Sequence, residues 1–243
     1  MPTLELSDSR EYIIPLFLVD SVGEEVLMDS RSFLGTAFFV SKRGDALTAN
    51  HVLPKPQDLP SGKRVVAVVF DGGKQRVCPV IYYASFPVCD LALVRIAFQP
   101  TKFLEVSDEP VFAGTDVFLV GVPSHEVSRG GKEMRVLKGH VTFVGSHLEL
   151  NFAIPAGMSG SPVFVGDKVV AFANGSVRSE EVEDYIEEIE LLSNNKEQIQ
   201  ITKVTRLTHY GLAYPLCKLR DQVSPIFGGM TLMELIERRN GEP

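Results

Sequence analysis

Apolar residues in the first half of the chain come in short runs rich in Val, Ile, Phe and Tyr rather than in helical stripes. The runs lie near 12–19, 34–40, 46–49, 64–70, 76–83 and 91–97, with breaks at Val22-Gly23, Lys42-Arg43-Gly44-Asp45 and Asp71-Gly72-Gly73. Period-two runs punctuated by glycine turns predict antiparallel strands, and many short ones at close spacing predict a barrel or sandwich. A second set follows near 116–121, 134–144, 147–153, 162–165, 168–173 and 211–214. Between the sets, residues 98–113 include Pro100, Glu105, Asp108, Glu109 and Pro110 and read as a connection between two β units.

Helical period occurs in two places. Val182, Tyr185, Ile186 and Ile189 recur three or four apart behind an acidic first turn, so 179–190 reads as a helix or a charged loop on the surface. Near the end, Thr231 and Glu234 fit a capping box, Leu232, Leu235 and Ile236 form an apolar stripe, and Arg238 and Arg239 precede Gly241. A docked C-terminal helix is expected over 229–240.

Composition narrows the class. A chain of 243 residues with 44% hydrophobic content can build one large β domain or two smaller ones. The runs YIIPLFLV and RVVAVVF are much shorter than a bilayer span, and the opening MPTLELSDSREY lacks the basic start and apolar core of a secretory leader. Neither membrane insertion nor export is therefore expected, and a cytoplasmic location is. The three cysteines, Cys78, Cys89 and Cys217, are odd in number and lack metal-site spacing, which reads as reduced thiols in a reducing compartment. A net charge of -7, with no basic stripe interleaved with aromatics, argues against a nucleic-acid partner. No phosphate-cradling loop or EF-hand spacing is present, and neither cofactor nor metal is expected.

Three local strings carry candidate chemistry. In IPAGMSGSP, glycines crowd Ser159 and Ser161, which suits either a hairpin turn or a nucleophile held beside backbone N–H groups aimed at a developing oxyanion. In LTANHVLP, His51 ends a short β run and can be structural or a general base. In VCDLALVRI, Asp90 precedes an apolar run, where a carboxylate needs hydrogen-bond donors. It can cap a turn, or accept from one nitrogen of His51 and leave the other free to take a hydroxyl proton.

Together, GTAFFVSKRGDALTANHVL, PVCDLALVRI and IPAGMSGSPVF occur in the order His, Asp, Ser and resemble the motif regions of the chymotrypsin-like serine proteases. VFLVGVP between Asp90 and Ser159 adds to this resemblance, and the bacterial HtrA/Deg branch is the more similar one. The resemblance covers roughly residues 12–220 and implies an all-β fold of two packed antiparallel barrels, over 10–104 and 112–216, followed by the short helix. It implies His51 as general base, Asp90 as orienting acid, Ser159 as nucleophile, and an oxyanion hole made by the N–H groups of Gly157 and Ser159. Ala153, Ala173, Asn174, Gly175 and Gly211 would line an uncharged primary pocket. The implied activity is that of a trypsin-like serine endopeptidase acting on protein or peptide through an acyl-enzyme, with a catalytically silent binding or regulatory module as the alternative. The sequence departs from the pattern at Met158, where digestive relatives have Asp, and at Ser161, where a second glycine is usual. The peptide-binding domain of HtrA-type proteases is not expected in this chain. The long acidic stretch 176–208 would be a lid, a protein-partner element or an inert insertion.

Overall fold

In the first half, β1 (Ile13–Asp20), β2 (Phe33–Phe39), β3 (Asp45–Ala49), β4 (Lys63–Asp71), β5 (Lys74–Ser85) and β6 (Leu91–Ile96) close into an antiparallel barrel in the order β1-β2-β3-β6-β5-β4. In the second, β7 (Asp116–Gly121), β8 (Arg135–Val144), β9 (Leu148–Leu150), β10 (Pro162–Val165), β11 (Lys168–Leu191) and β12 (Glu197–Pro215) close in the order β10-β11-β12-β9-β8-β7. Numbered from its own first strand, each barrel has the same strand order. The all-β, chymotrypsin-type double barrel expected from the sequence is therefore the fold. This computed structural model describes residues 6–20, 30–86, 89–128, 133–191, 197–224 and 228–241, and the turn expected at Val22-Gly23 lies outside them.

Strand alternation holds the halves together. Along β10 and β11, Val163 and Ala171 belong to the core of the second barrel, whereas their neighbours Phe164 and Phe172 join the cluster built on Leu16, Phe38 and Leu47 of the first. Successive strand residues point to opposite faces, so one strand serves both cores. Likewise β1 sends Leu16 into its own barrel and Phe17 and Val19 outward, against Val122 and Val127. Val127 belongs to α1 (Ser124–Ser128), the short helix after β7.

At the C-terminus, α2 (Leu232–Gly241) buries Leu232, Leu235 and Ile236 against the first barrel's cluster. Each such side chain contributes roughly 1.5–3 kcal/mol. Its capping box is made reciprocally: Glu234 N–H donates to Thr231 Oγ1 at 3.2 Å, and Thr231 N–H donates to Glu234 Oε2 at 2.8 Å.

The helical reading of 179–190 is corrected. These residues continue β11, which runs in register with β12 from Ala171↔Pro215 out to Leu191↔Glu197, with irregularities at Ala173/Gly175 and Glu180/Val182. The segment IQITKVTRLTHY is rich in β-branched residues, and the pairing it offers decides the conformation of its neighbour. The result is a two-stranded arm, because β10 pairs with β11 only over Lys168–Phe172 and β9 with β12 only over Gly211–Ala213.

Candidate active site

His51 stands at the end of β3, in a single 3-10 turn, Asn50–Val52. The register of β3 is fixed at its far end, where Asp45, 4% exposed, accepts from Ser41 Oγ at 2.7 Å and from Arg95 Nε at 2.7 Å. Asp90 precedes β6, the neighbour of β3, so pairing of the two strands delivers acid and imidazole to one place. The Asp90 carboxylate accepts from His51 N–H at 2.9 Å through Oδ1 and lies 2.5 Å from the ring Nδ1 through Oδ2. Asn50 N–H donates to the Asp90 backbone carbonyl at 2.9 Å, which fixes the same turn again. The Asp90 hydrogen bond raises the His51 pKa above its usual 6.5, partial burial opposes it, and the carboxylate's charge adds to the rise.

Ser159 lies on the loop between β9 and β10, pressed onto the first barrel. Gly160, at φ +83°, sits so close to β2 and β3 that an added Cβ would fall 2.2 Å from Thr36 O and 2.3 Å from Thr48 Oγ1. Gly35 makes the matching approach, where a Cβ would lie 2.8 Å from Val52 and 3.2 Å from Ser159 O. The serine loop and the His51 turn therefore meet across the junction of the two barrels. The Ser159 hydroxyl donates to Asn174 O at 3.2 Å.

Backbone hydrogen bonds account for this loop group by group. Ala156 O accepts from Ser124 N–H at 2.8 Å, Met158 O from Ser161 N–H at 3.1 Å, and Ser159 O from Thr36 N–H at 3.0 Å. Gly157 O accepts from Thr36 Oγ1 at 3.0 Å. On the donor side, Met158 N–H is spent on Pro155 O at 3.1 Å and Gly160 N–H on Ala173 O at 2.7 Å. The N–H groups of Gly157 and Ser159 make no hydrogen bond among the described residues. A trans peptide points its C=O and N–H in opposite directions, so tying Ala156 O to Ser124 turns the Gly157 N–H to the opposite side. Gly157 has φ +91°, and a Cβ there would lie 2.6 Å from Phe33 Cε1 and 2.6 Å from Ser124 N.

Of the residues expected to form a pocket, Ala173, Asn174, Gly175 and Gly211 lie on the paired strands β11 and β12. Gly211 pairs with Ser176 across β11 and β12, and a Cβ on it would meet Phe152 O at 2.6 Å. Ser176 Oγ accepts from Ile154 N–H at 2.6 Å and is 3.1 Å from Ile154 O, joining the segment after Ala153 to the one after Asn174 and Gly175. Ala153 is exposed, whereas Ala173 is fully buried with both backbone groups bonded to the 160–161 turn. Ser161 is also fully buried, packed where Gly121 leaves room for it. Sequence reasoning missed Thr36 and Ser124, which hold the loop's carbonyls. The available signal was Thr36 itself, a hydroxyl in the otherwise apolar run FLGTAFFV.

Residues 35–171, more than half of the chain, match the family model of the trypsin-like peptidase domain, and the chain belongs to that family. No curated protein sequence matches it. Among solved structures, neuropsin, a serine protease expressed in the limbic system of mouse brain, is similar with a TM-score of 0.56 at 10% identity, over 89% of this chain and 94% of that one. The HtrA-type protease AlgW, solved with a decapeptide, gives a TM-score of 0.56 at 16% identity over 96% of this chain and 67% of that one. The MamO protease domain from Magnetospirillum magneticum gives 0.55 at 16% identity over 88% and 97%. At these identities the likeness is one of fold.

The cytoplasmic location expected from the sequence is corrected by the same set, since these structural relatives are secreted or periplasmic proteases. The three cysteines are free thiols, but unpaired cysteines and a modest negative charge suit either side of a membrane.

Proposed function

We propose that the protein is a serine endopeptidase in which Ser159 attacks the scissile carbonyl, His51 takes the hydroxyl proton, and the N–H groups of Gly157 and Ser159 receive the oxyanion. The observation that carries this reading is the backbone accounting of the loop, which leaves those two donors unspent beside the serine while their neighbours are bonded. Donors fixed before the reaction lose nothing to reorganisation when charge develops, and one of them is worth roughly 3–4 kcal/mol of barrier.

Asp90 beside Nδ1 holds the ring proton there, leaving Nε2 as the base. In the reaction the Ser159 hydroxyl leaves Asn174 O for that nitrogen. Collapse of the tetrahedral intermediate breaks the C–N bond as His51 returns the proton to the leaving amine, and water then repeats the sequence on the acyl-enzyme. The primary pocket, formed around Ala153, Ala173, Asn174, Gly175 and Gly211, is uncharged and takes an uncharged substrate side chain. The β11–β12 arm is the element available to a protein partner.

A fluorophosphonate probe tests the assignment. The parent should be labelled and Ser159→Ala should not be. A folded parent that stays unlabelled while still binding peptide would make the chain a silent module instead.

A further inference from the structure

Thr36, on β2, is fully buried, and every polar group it carries is committed to the junction of the barrels. Its N–H donates to Ser159 O at 3.0 Å, and its carbonyl accepts from Thr48 Oγ1 at 2.7 Å. Its side-chain hydroxyl accepts from Val122 N–H at 3.3 Å and donates to Gly157 O at 3.0 Å. The direction of the last bond is fixed by chemistry. An amide N–H can only donate and a carbonyl oxygen can only accept, so the single hydroxyl proton goes to Gly157. A β-branched side chain has few χ1 choices, which keeps the hydroxyl in place.

We infer that Thr36 is a positioning residue for the proposed hydrolysis, holding the Gly157–Met158 and Ser159–Gly160 peptides, which alternate with the two that carry the oxyanion donors, and so aiming those donors. This rests on the reading of Ser159 as nucleophile. Gly157 has no Cβ to resist rotation, and its N–H direction depends on what ties down its two adjacent peptides. Ser124 ties the one before it and the Thr36 hydroxyl ties the one after it. Thr36 N–H, through Ser159 O, holds the peptide that follows the nucleophile. Without the hydroxyl, the buried Val122 N–H and the half-buried Gly157 O both lose this partner, and the Gly157–Met158 peptide turns to find another.

The test uses Thr36→Val, close in shape but without the hydroxyl, and Thr36→Ser, which keeps it. In Thr36→Val, kcat on a peptide substrate should fall about 10- to 100-fold, less than the roughly 10²–10³-fold cost of deleting an oxyanion donor. KM should stay near the parent value. Affinity for a peptide boronate, which presents a tetrahedral oxyanion, should fall in parallel with kcat, while affinity for the cleaved product peptide is retained. Thr36→Ser should recover most of the loss. Thr231→Ala, which breaks the capping box of α2 far from the serine loop, should cost stability without lowering kcat.

Parent-like kcat and boronate affinity in folded Thr36→Val would overturn the inference, as would an equal loss in Thr36→Ser. Thr36→Ala removes the same hydroxyl if the valine variant does not fold. If neither folds while Thr36→Ser does, the residue is a structural one and the inference fails. An unlabelled parent would instead sink the reading on which it rests, before any Thr36 variant is made.

Discussion

Asp90 spends both carboxylate oxygens on one neighbour, through the backbone N–H and the ring of His51. Asp90→Asn can keep the first bond, but an amide that donates to the ring selects the wrong tautomer. Folding should survive and kcat should fall by about 10⁴-fold. The pH profile supplies a second readout. The Asp90 hydrogen bond is the largest cause of the raised His51 pKa, so in the parent the rising limb of kcat/KM should lie above 6.5. In residual Asp90→Asn activity that limb should move to lower pH, and a limb that stays put would remove Asp90 from the role. The stability linkage has the opposite sense to activity. A group whose pKa is raised on folding stabilises most below its ordinary pKa, and the contribution is lost as pH rises through the raised value. With 48% of the His51 side chain exposed, solvent screening keeps that contribution small.

At the scale of elements, the strands that carry the site were legible because their signals are local. LTANHV and VCDLALVRI place the histidine and the acid at ends of β3 and β6, and turn glycines mark where neighbouring strands reverse. The arm was not legible in that way. Val182, Tyr185, Ile186 and Ile189 have helical spacing, and a partner strand beginning at Glu197 overrides it, which no window over 179–190 alone can show. The loop's hydrogen-bond partners were hidden for the same reason: the glycines announce a special backbone, but Thr36 and Ser124 reach it from distant strands and turns. The arm also yields a prediction. Barrel closure uses β11 over Lys168–Phe172 and β12 over Gly211–Ala213, so replacing 178–208 by a short turn leaves that ladder complete. The shortened protein should fold and cleave a short peptide at the parent rate, with any loss confined to large substrates or partners. Loss of short-peptide cleavage in the folded variant would make the arm part of the active site.

For the whole molecule, the contact of Gly160 with β2 and β3 makes docking of the barrels and assembly of the proposed site a single event. Gly160→Ala would place a methyl 2.2 Å from Thr36 O, and φ +83° adds backbone strain. The combined cost is about 2–5 kcal/mol. Gly166→Ala shares a positive φ, +63°, but meets nothing within 4 Å, so it isolates the strain alone at about 1–2 kcal/mol. Fluorophosphonate labelling should collapse in Gly160→Ala and persist in Gly166→Ala; equal labelling in both would separate docking from site assembly. The same contact governs timing during synthesis. Thr36 and Gly157 are 121 residues apart in the chain, a stretch that takes roughly 6–24 s to make at about 5–20 residues per second. From the completion of Asp90 to that of Ser159, the emerging polypeptide holds the imidazole and its carboxylate with no hydroxyl set against them. On the proposed reading, a ribosome translating this message therefore carries no working hydrolase until the second barrel has closed on the first.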